Sequence, residues 1–321
     1  MTDLLHALEP AALARLANME LRARTIVEGH FSGQHHSHLK GASVEFADHR
    51  NYSPGDELRH LDWKLYGRTD RFFVKQYDAE TNMSVMLVLD ASGSMQYGSG
   101  EVTKAQYGSY LAAGLAYLTS RQGDAPGLAL VDAGGVAEKL MPRTRPAHLR
   151  RLWDALEGAT VGRGLVSRPD TDGMGRGTSP RPTDDTGAIA DGLADVAALL
   201  SRRGILVLIS DLLEPPDRLL RALRYFRHRR HDVIVLQVLD EAEVNFPFRG
   251  AVEFQDLEDG RRLRTEIADI RRGYLAGFQQ HQETIREGCR TAALDYELML
   301  TTEPFGRALT AYLGRRGGAG Y

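Results

Sequence analysis

The sequence predicts an α/β protein with a doubly wound, mostly parallel sheet and an N-terminal helical and irregular extension. Continuous runs of Val, Ile and Leu at 85–89, 205–209 and 233–236 are typical of strands that are buried on both faces. Segments with helical periodicity separate these runs, and strands that alternate with helices favour a parallel sheet covered on both sides. Each run is far shorter than the roughly 20 apolar residues that span a bilayer.

The first 80 residues predict a domain of their own, with an N-terminal helix and an irregular segment that packs on the rest of the chain. Residues 3–27 carry apolar side chains at helical spacing, and Glu9-Pro10 indicates a break or the start of a second helix. Residues 30–80 are rich in charged, His and turn residues, which is typical of irregular structure with short strands.

Residues 81–321 predict the main α/β domain. After the strand that ends at 90, we expect helices near 104–120, 149–156, 187–202, 216–229 and 269–292, and a last helix towards the C-terminus. Asp259-Gly260 between two strand-like segments predicts a hairpin. Residues 162–185 are rich in Gly, Pro, Ser and Asp and predict a mobile insertion.

Composition excludes several classes of partner and site. Forty Lys and Arg against forty-three Asp and Glu give a net charge of -3, so no global field attracts nucleic acid. Cys289 is the only cysteine, which excludes disulfide frameworks and Cys-based metal clusters and fits a reducing cytoplasm. The charged N-terminus is unlike a signal peptide. We therefore expect a cytoplasmic protein.

Oxygen-bearing side chains follow two of the predicted strands. Asp90, Ser92 and Ser94 leave the strand at 84–90 with i, i+2, i+4 spacing, and Asp211 follows the strand at 204–210. Ligands of doubly wound sheets gather outside the carboxyl ends of the strands, so these side chains should meet. Hydroxyl and carboxylate oxygens suit a hard cation such as Mg²⁺, with Mn²⁺ as the alternative.

This Asp-x-Ser-x-Ser pattern with a later Asp resembles the metal-ion-dependent adhesion site of von Willebrand factor A domains. The resemblance implies that Ser92 and Ser94 bind the metal directly and that Asp90 and Asp211 hold it through waters. It also implies a Thr from an intervening loop, for which Thr186 is chosen over Thr183.

Residues 29–80 resemble the signature of a bacterial family known as domain of unknown function 58. Its members carry such a von Willebrand factor A domain and are commonly encoded beside MoxR-type AAA+ ATPases. The matching positions that we single out as site candidates are Arg50, Tyr52, Asp56, Arg59, Asp62, Trp63 and Arg68. These residues could form an ionic network that pins the segment, or a surface that docks a partner, and both interpretations stay open.

The expected function is that of a non-enzymatic, metal-dependent adaptor. By resemblance it acts with a MoxR-type AAA+ ATPase in the assembly or maturation of other proteins, in a chaperone-like role, and it captures an acidic residue of a partner protein. The sequence lacks a Gly-x-Ser-x-Gly elbow and a phosphate-binding Gly-x-x-x-x-Gly-Lys-Ser/Thr loop, so these motifs give no support for catalysis. The alternative is a hydrolase that uses the same metal. No membrane span is expected, although partners could be membrane-associated.

Overall fold

A computed structural model of the chain describes residues 9–33, 46–51, 63–69, 71–77, 83–160, 188–200, 203–257 and 260–318. The chain divides into two compact units, one formed by Met1–Ser37 with Met83–Tyr321 and the other by His38–Asn82. This division differs from the expected boundary at residue 80, because the N-terminal helices belong to the larger unit. The predicted insertion at 162–185 lies outside the described residues.

The N-terminal helices and the smaller unit contribute five elements. Helices α1 (Pro10–Ala14) and α2 (Met19–Gly33) precede the smaller unit. That unit contains β1 (Phe46–Asn51), α3 (Trp63–Thr69) and β2 (Phe73–Tyr77), and its two strands pair antiparallel. Helix α1 begins at Pro10, the position where the sequence indicated a helix start.

The larger unit is built on a six-stranded sheet. The six strands of the sheet are β3 (Ser84–Asp90), β4 (Ala125–Asp132), β5 (Gly135–Leu140), β6 (Gly204–Ser210), β7 (Asp232–Leu239) and β10 (Asp295–Leu300). Between β7 and β10 the chain forms a separate two-stranded hairpin of β8 (Ala251–Gln255) and β9 (Arg262–Glu266). The sheet order is β10-β7-β6-β3-β4-β5, and only β5 is antiparallel to its neighbour. The predicted mostly parallel α/β fold is confirmed.

Helices cover both faces of this sheet. They are α4 (Lys104–Arg121), α5 (Pro146–Thr160), α6 (Ala188–Leu199), α7 (Pro216–His228), α8 (Glu241–Asn245), α9 (Ile267–Thr291) and α10 (Gly306–Gly318). Alternate residues of β3 belong to different cores: Val85 and Leu87 pack with α2, α4, α5 and α10, whereas Met86 and Val88 pack with α6, α7 and α9. The doubly wound arrangement explains why the strand sequences are continuously apolar.

The N-terminal helices form part of the first of these layers. Arg22 of α2 is buried, and its guanidinium donates to the carbonyl oxygen of Leu13 and to Glu157 of α5. The same guanidinium lies 4.9 Å from the centre of the Tyr110 ring on α4. A buried, fully engaged arginine therefore joins α2 to two helices of the sheet unit.

The predicted hairpin is present as β8 and β9, which pair antiparallel. Gly260 adopts a positive φ of 75°, a conformation that glycine adopts without steric cost, while Asp259 lies outside the described residues. Within the described ranges, no helix combines the length and apolar character that crossing a membrane requires.

Candidate metal centre

The pairing of β3 with β6 brings the predicted site residues together. The two strands are parallel neighbours, with Leu89 opposite Ile209, so Asp90 and Ser210 end their strands side by side. The Ser210 hydroxyl donates to Oδ2 of Asp90 at 2.6 Å, and Asp211 is the next residue. The carboxyl edge of the sheet thus places Asp90 and Asp211 in one cluster.

The loop after β3 places two hydroxyls in front of a buried carboxylate. Asp90 is almost fully buried, and its Oδ1 accepts a 2.9 Å hydrogen bond from the backbone N–H of Ser92. A short 3₁₀ helix, Gly93–Gln96, then turns the chain so that Oγ of Ser92 lies 3.1 Å from Oγ of Ser94. Both serines are half-buried, whereas Asp90 is almost fully buried.

The ionised form of Asp90 is disfavoured by its surroundings. Burial and the neighbouring Asp211 carboxylate raise the pKa of Asp90 to about 7, against the opposing effect of hydrogen bonds from Ser210 and Ser92. A cation in front of Asp90 would favour its ionised form.

These residues fit a hard divalent cation in geometry and in chemistry. Adjacent ligands of an octahedral Mg²⁺ at roughly 2.0–2.1 Å are about 3 Å apart, close to the 3.1 Å between the two serine hydroxyls. Both oxygens of Asp90 already accept hydrogen bonds from the protein, which suits a carboxylate that acts through water. Among the described residues no cluster of three or more His, Cys, Asp or Glu is placed to hold a metal ion.

Asp211 has a cation of its own, which the sequence did not indicate. The ammonium of Lys104, the first residue of α4, lies 2.8 Å from Oδ2 of Asp211 and 2.6 Å from Oε1 of Glu243 in α8. The Lys104 side chain is completely buried. Burial alone would lower the pKa of this lysine, but Asp211 and Glu243 together raise it, so the side chain is a permanent cation.

The backbone after Asp211 adopts a strained conformation. Leu212 has a positive φ of 57°, which is unfavourable for a residue with a Cβ, and its side chain is buried. Its N–H donates to the Ser210 hydroxyl at 3.0 Å, and Nε2 of His281 lies 2.8 Å from its carbonyl oxygen. These contacts fix the loop and leave Leu213 with 46% of its surface exposed beside Asp211.

The same loop holds the start of α6. Glu214 accepts hydrogen bonds from the backbone N–H groups of Ile189 and Ala190, in the first turn of that helix. The candidate ligands Thr186 and Thr183 lie outside the described residues. The first described residue after them, Ala188, begins a helix that Glu214 ties to the Asp211 loop.

A third strand also ends in an aspartate. Asp240, directly after β7, accepts hydrogen bonds from the N–H and hydroxyl of Ser99, from the hydroxyl of Thr301 and from the N–H of Ala242. Although burial would raise the pKa of Asp240, these bonds lower it overall. Asp240 thereby connects the loops that follow β3, β7 and β10.

Sequence reasoning missed Ser210, Lys104, Glu243 and Asp240. Asp240 had a usable signal, because it follows a buried strand just as Asp90 and Asp211 do. Lys104 and Glu243 had none, since Lys or Glu at the start of a helix is ordinary in solvent-facing positions.

The structure describes part of the signature segment. Trp63 begins α3 with 61% of its surface exposed and makes an edge-to-face contact with Tyr66, and Arg68 is exposed in the same helix. Arg50 lies in β1 opposite Val74. The remaining predicted positions of this segment lie outside the described residues: Tyr52, Asp56, Arg59 and Asp62.

Solved structures with similarity to this chain include BatB, a conserved hypothetical protein of Bacteroides thetaiotaomicron, with a TM-score of 0.45 and 14% identity over 74% of this chain and 99% of BatB. They also include the VWA (von Willebrand factor A) domain of SpRpn10, with a TM-score of 0.35 and 10% identity over 71% of this chain and 94% of that domain.

Two sequence relatives are the uncharacterized proteins Mb1516 of Mycobacterium bovis and Rv1480 of Mycobacterium tuberculosis. Each is 30% identical to this chain over 254 residues, which are 78% of this chain and 73% of the relative. The model of a family described as "Protein of unknown function DUF58" matches residues 48–284. This match and the two relatives show that the chain belongs to the DUF58 family.

Proposed function

We propose that this chain is a non-enzymatic binding protein that uses Mg²⁺, or Mn²⁺ in its place, to capture a carboxylate of a partner protein. The observation that carries the proposal is the pair of half-buried serines, Ser92 and Ser94, whose hydroxyls are 3.1 Å apart. They follow the buried Asp90, whose raised pKa means that its ionised form is disfavoured. In this proposal the two serines and Thr186 hold the cation directly, and Asp90 and Asp211 act through water.

The charge distribution supports capture of an anion. A divalent cation that is bound mainly by neutral hydroxyls keeps much of its charge, and it offers a Lewis-acidic position to an incoming Asp or Glu. The carboxylates of Asp90 and Asp211 are buried, and Lys104 offsets the charge of Asp211. The outer side of the site is therefore able to accept a further negative charge.

A histidine on α9 contacts the loop that carries Asp211. His281 reaches the Asp211 loop, with Nε2 2.8 Å from the carbonyl oxygen of Leu212. A carbonyl only accepts, so Nε2 is the donor in this contact, and Nδ1 is the ring nitrogen that could act as a base. A hydrolase would need a base that faces the metal.

The partner we propose is an AAA+ ATPase of the MoxR type, and this part rests on the family resemblance. Together the two proteins would act in assembly or maturation of other proteins. Because the ATPase consumes ATP, the encounter would take place in the cytoplasm. The exposed Trp63 of α3 offers a second contact surface for such a partner.

The test is binding of the purified full chain to the MoxR-type ATPase of the same organism, measured by biolayer interferometry. We expect binding with Mg²⁺, loss of binding with EDTA, and recovery when excess Mg²⁺ or Mn²⁺ is added. The variant Ser92→Ala with Ser94→Ala should not bind under any of these conditions. Binding that is equally strong with EDTA and with Mg²⁺ would contradict metal-mediated capture.

A further inference from the structure

Lys104 occupies a position that is electrostatically unfavourable by itself. Its side chain has no exposed surface, and burial of an unpaired ammonium is strongly disfavoured. It is also the first residue of α4, at the positive end of the helix dipole, where cations are destabilising. Two carboxylates from separate loops compensate, Asp211 after β6 and Glu243 in α8.

The contact with Asp211 links Lys104 to the candidate metal centre. Asp211 is close enough to Asp90 to raise its pKa, and Oδ2 of Asp211 is 2.8 Å from the ammonium. Its Oδ1 accepts a weaker, 3.3 Å hydrogen bond from the N–H of Leu213. Lys104 therefore both orients Asp211 and offsets the charge that Asp211 would otherwise offer to a metal.

We infer that Lys104 is a positioning residue that acts as an internal counter-cation. It holds the centre in place before a metal binds, and it lowers the affinity of the centre for Mg²⁺. This inference rests on the proposed metal-dependent function and assigns a determinant of metal affinity to a residue outside the ligand set. Weak intrinsic affinity makes occupancy of the site depend on the partner's carboxylate, because metal and carboxylate then stabilise each other's binding.

The inference predicts the sign of a change in affinity. Lys104→Met replaces the ammonium with an apolar chain of similar length, so Asp211 regains its full charge towards the metal. The dissociation constant for Mg²⁺ should fall at least about tenfold, since a unit charge a few ångströms from a ligand is only partly screened by the protein. A merely structural role predicts the opposite, weaker binding, because the lost contact would leave Asp211 misplaced.

The experiment is a titration of the full chain with Mg²⁺ alone, followed by isothermal calorimetry, with folding checked by circular dichroism. The matched control is Arg22→Met, which removes another buried and paired cation, on α2, and should leave the dissociation constant within about twofold of wild type. If Lys104→Met does not fold, Glu243→Gln is compared with the double variant Lys104→Met, Glu243→Gln. The double variant should bind Mg²⁺ more tightly than Glu243→Gln.

The outcomes separate the inference from the proposed function. Tighter binding by the Lys104 variant supports the inference, and this includes the case in which wild type shows no measurable binding and the variant does. If wild type binds Mg²⁺ and the variant binds it equally or more weakly, the inference is wrong and the proposed function stands. If neither binds Mg²⁺, the metal-dependent function fails and the inference fails with it.

Discussion

Replacing both hydroxyls of the candidate centre should abolish metal binding and leave the fold nearly unchanged. In Ser92→Ala with Ser94→Ala, the 3.1 Å contact between the hydroxyls is lost, as is the hydrogen bond of the Ser92 side chain to Asp90. The backbone N–H of Ser92 still donates to Asp90, so the loop keeps its main internal contact. Each lost hydrogen bond between neutral groups contributes about 0.5–1.5 kcal/mol, and slightly more to a carboxylate.

The expected effect on metal-dependent stability is much larger than this loss. A ligand present at about 100 times its dissociation constant stabilises the folded state by about 2.7 kcal/mol. For a chain of this size, 1 kcal/mol corresponds to about 2 °C in the unfolding temperature. Wild type should therefore gain about 5 °C when Mg²⁺ approaches saturation, and the double variant should gain nothing.

The assay is thermal unfolding with EDTA and across a series of Mg²⁺ concentrations. The matched control is Ser84→Ala with Ser120→Ala, which removes two half-buried serines, at the start of β3 and near the end of α4, at the opposite edge of the sheet. This control should keep the full response to Mg²⁺. If the double variant at 92 and 94 is stabilised by Mg²⁺ as much as wild type, the hydroxyls are not ligands and the site is wrongly assigned.

Three further expectations concern single side chains. Because the pKa of Asp90 is raised from 3.8 to about 7 in the folded state, its proton stabilises the fold at low pH, and that contribution is lost as the pH rises. Asp90→Asn should therefore gain up to about 4 kcal/mol of stability relative to wild type between pH 4 and 8, measured by urea unfolding in EDTA. A stability difference that does not change with pH would contradict this. Glu214→Ala leaves two N–H groups of α6 without their acceptor and should destabilise the protein by about 1–2 kcal/mol, measured in the same way, with Glu241→Ala on an exposed helix position as control. Asp240→Asn loses charge-assisted hydrogen bonds from Ser99 and should destabilise by about 2–4 kcal/mol in EDTA and in Mg²⁺ alike, whereas a Mg²⁺-dependent effect would place Asp240 in the metal site.

Strand positions could be predicted because strands that are buried on both faces have continuously apolar sequences. Each central strand reads as an unbroken apolar run, and the parallel arrangement then dictates that Asp90 and Asp211 end at one edge. The antiparallel edge strand β5 also has a local cause. Only the short Ala133-Gly134 link separates β4 from β5, which is too short for the crossover that a parallel partner requires.

The buried cations could not be predicted, because their meaning depends on residues far away in the sequence. Lys104 and Asp211 are 107 residues apart, and Lys104 and Glu243 are 139 apart. Arg22 likewise pairs with Glu157, 135 residues away. A Lys or Arg on a helix is predicted to be solvent-exposed unless the acidic residue that pairs with it in the fold is known.

The three aspartates at the carboxyl edge differ in what balances their charge, and this difference distinguishes the candidate metal position from its surroundings. Asp240 accepts four hydrogen bonds from backbone and hydroxyl groups, which lower its pKa, so it is satisfied within the protein. Asp211 is paired with Lys104. Among the described residues, Asp90 accepts hydrogen bonds from the uncharged Ser92 and Ser210, a second carboxylate lies nearby, and its pKa is raised. Of the three, Asp90 gains most from a cation, and the half-buried Ser92 and Ser94 lie in the loop that follows it. Charge balance and donor geometry, which are independent criteria, thus select the same position.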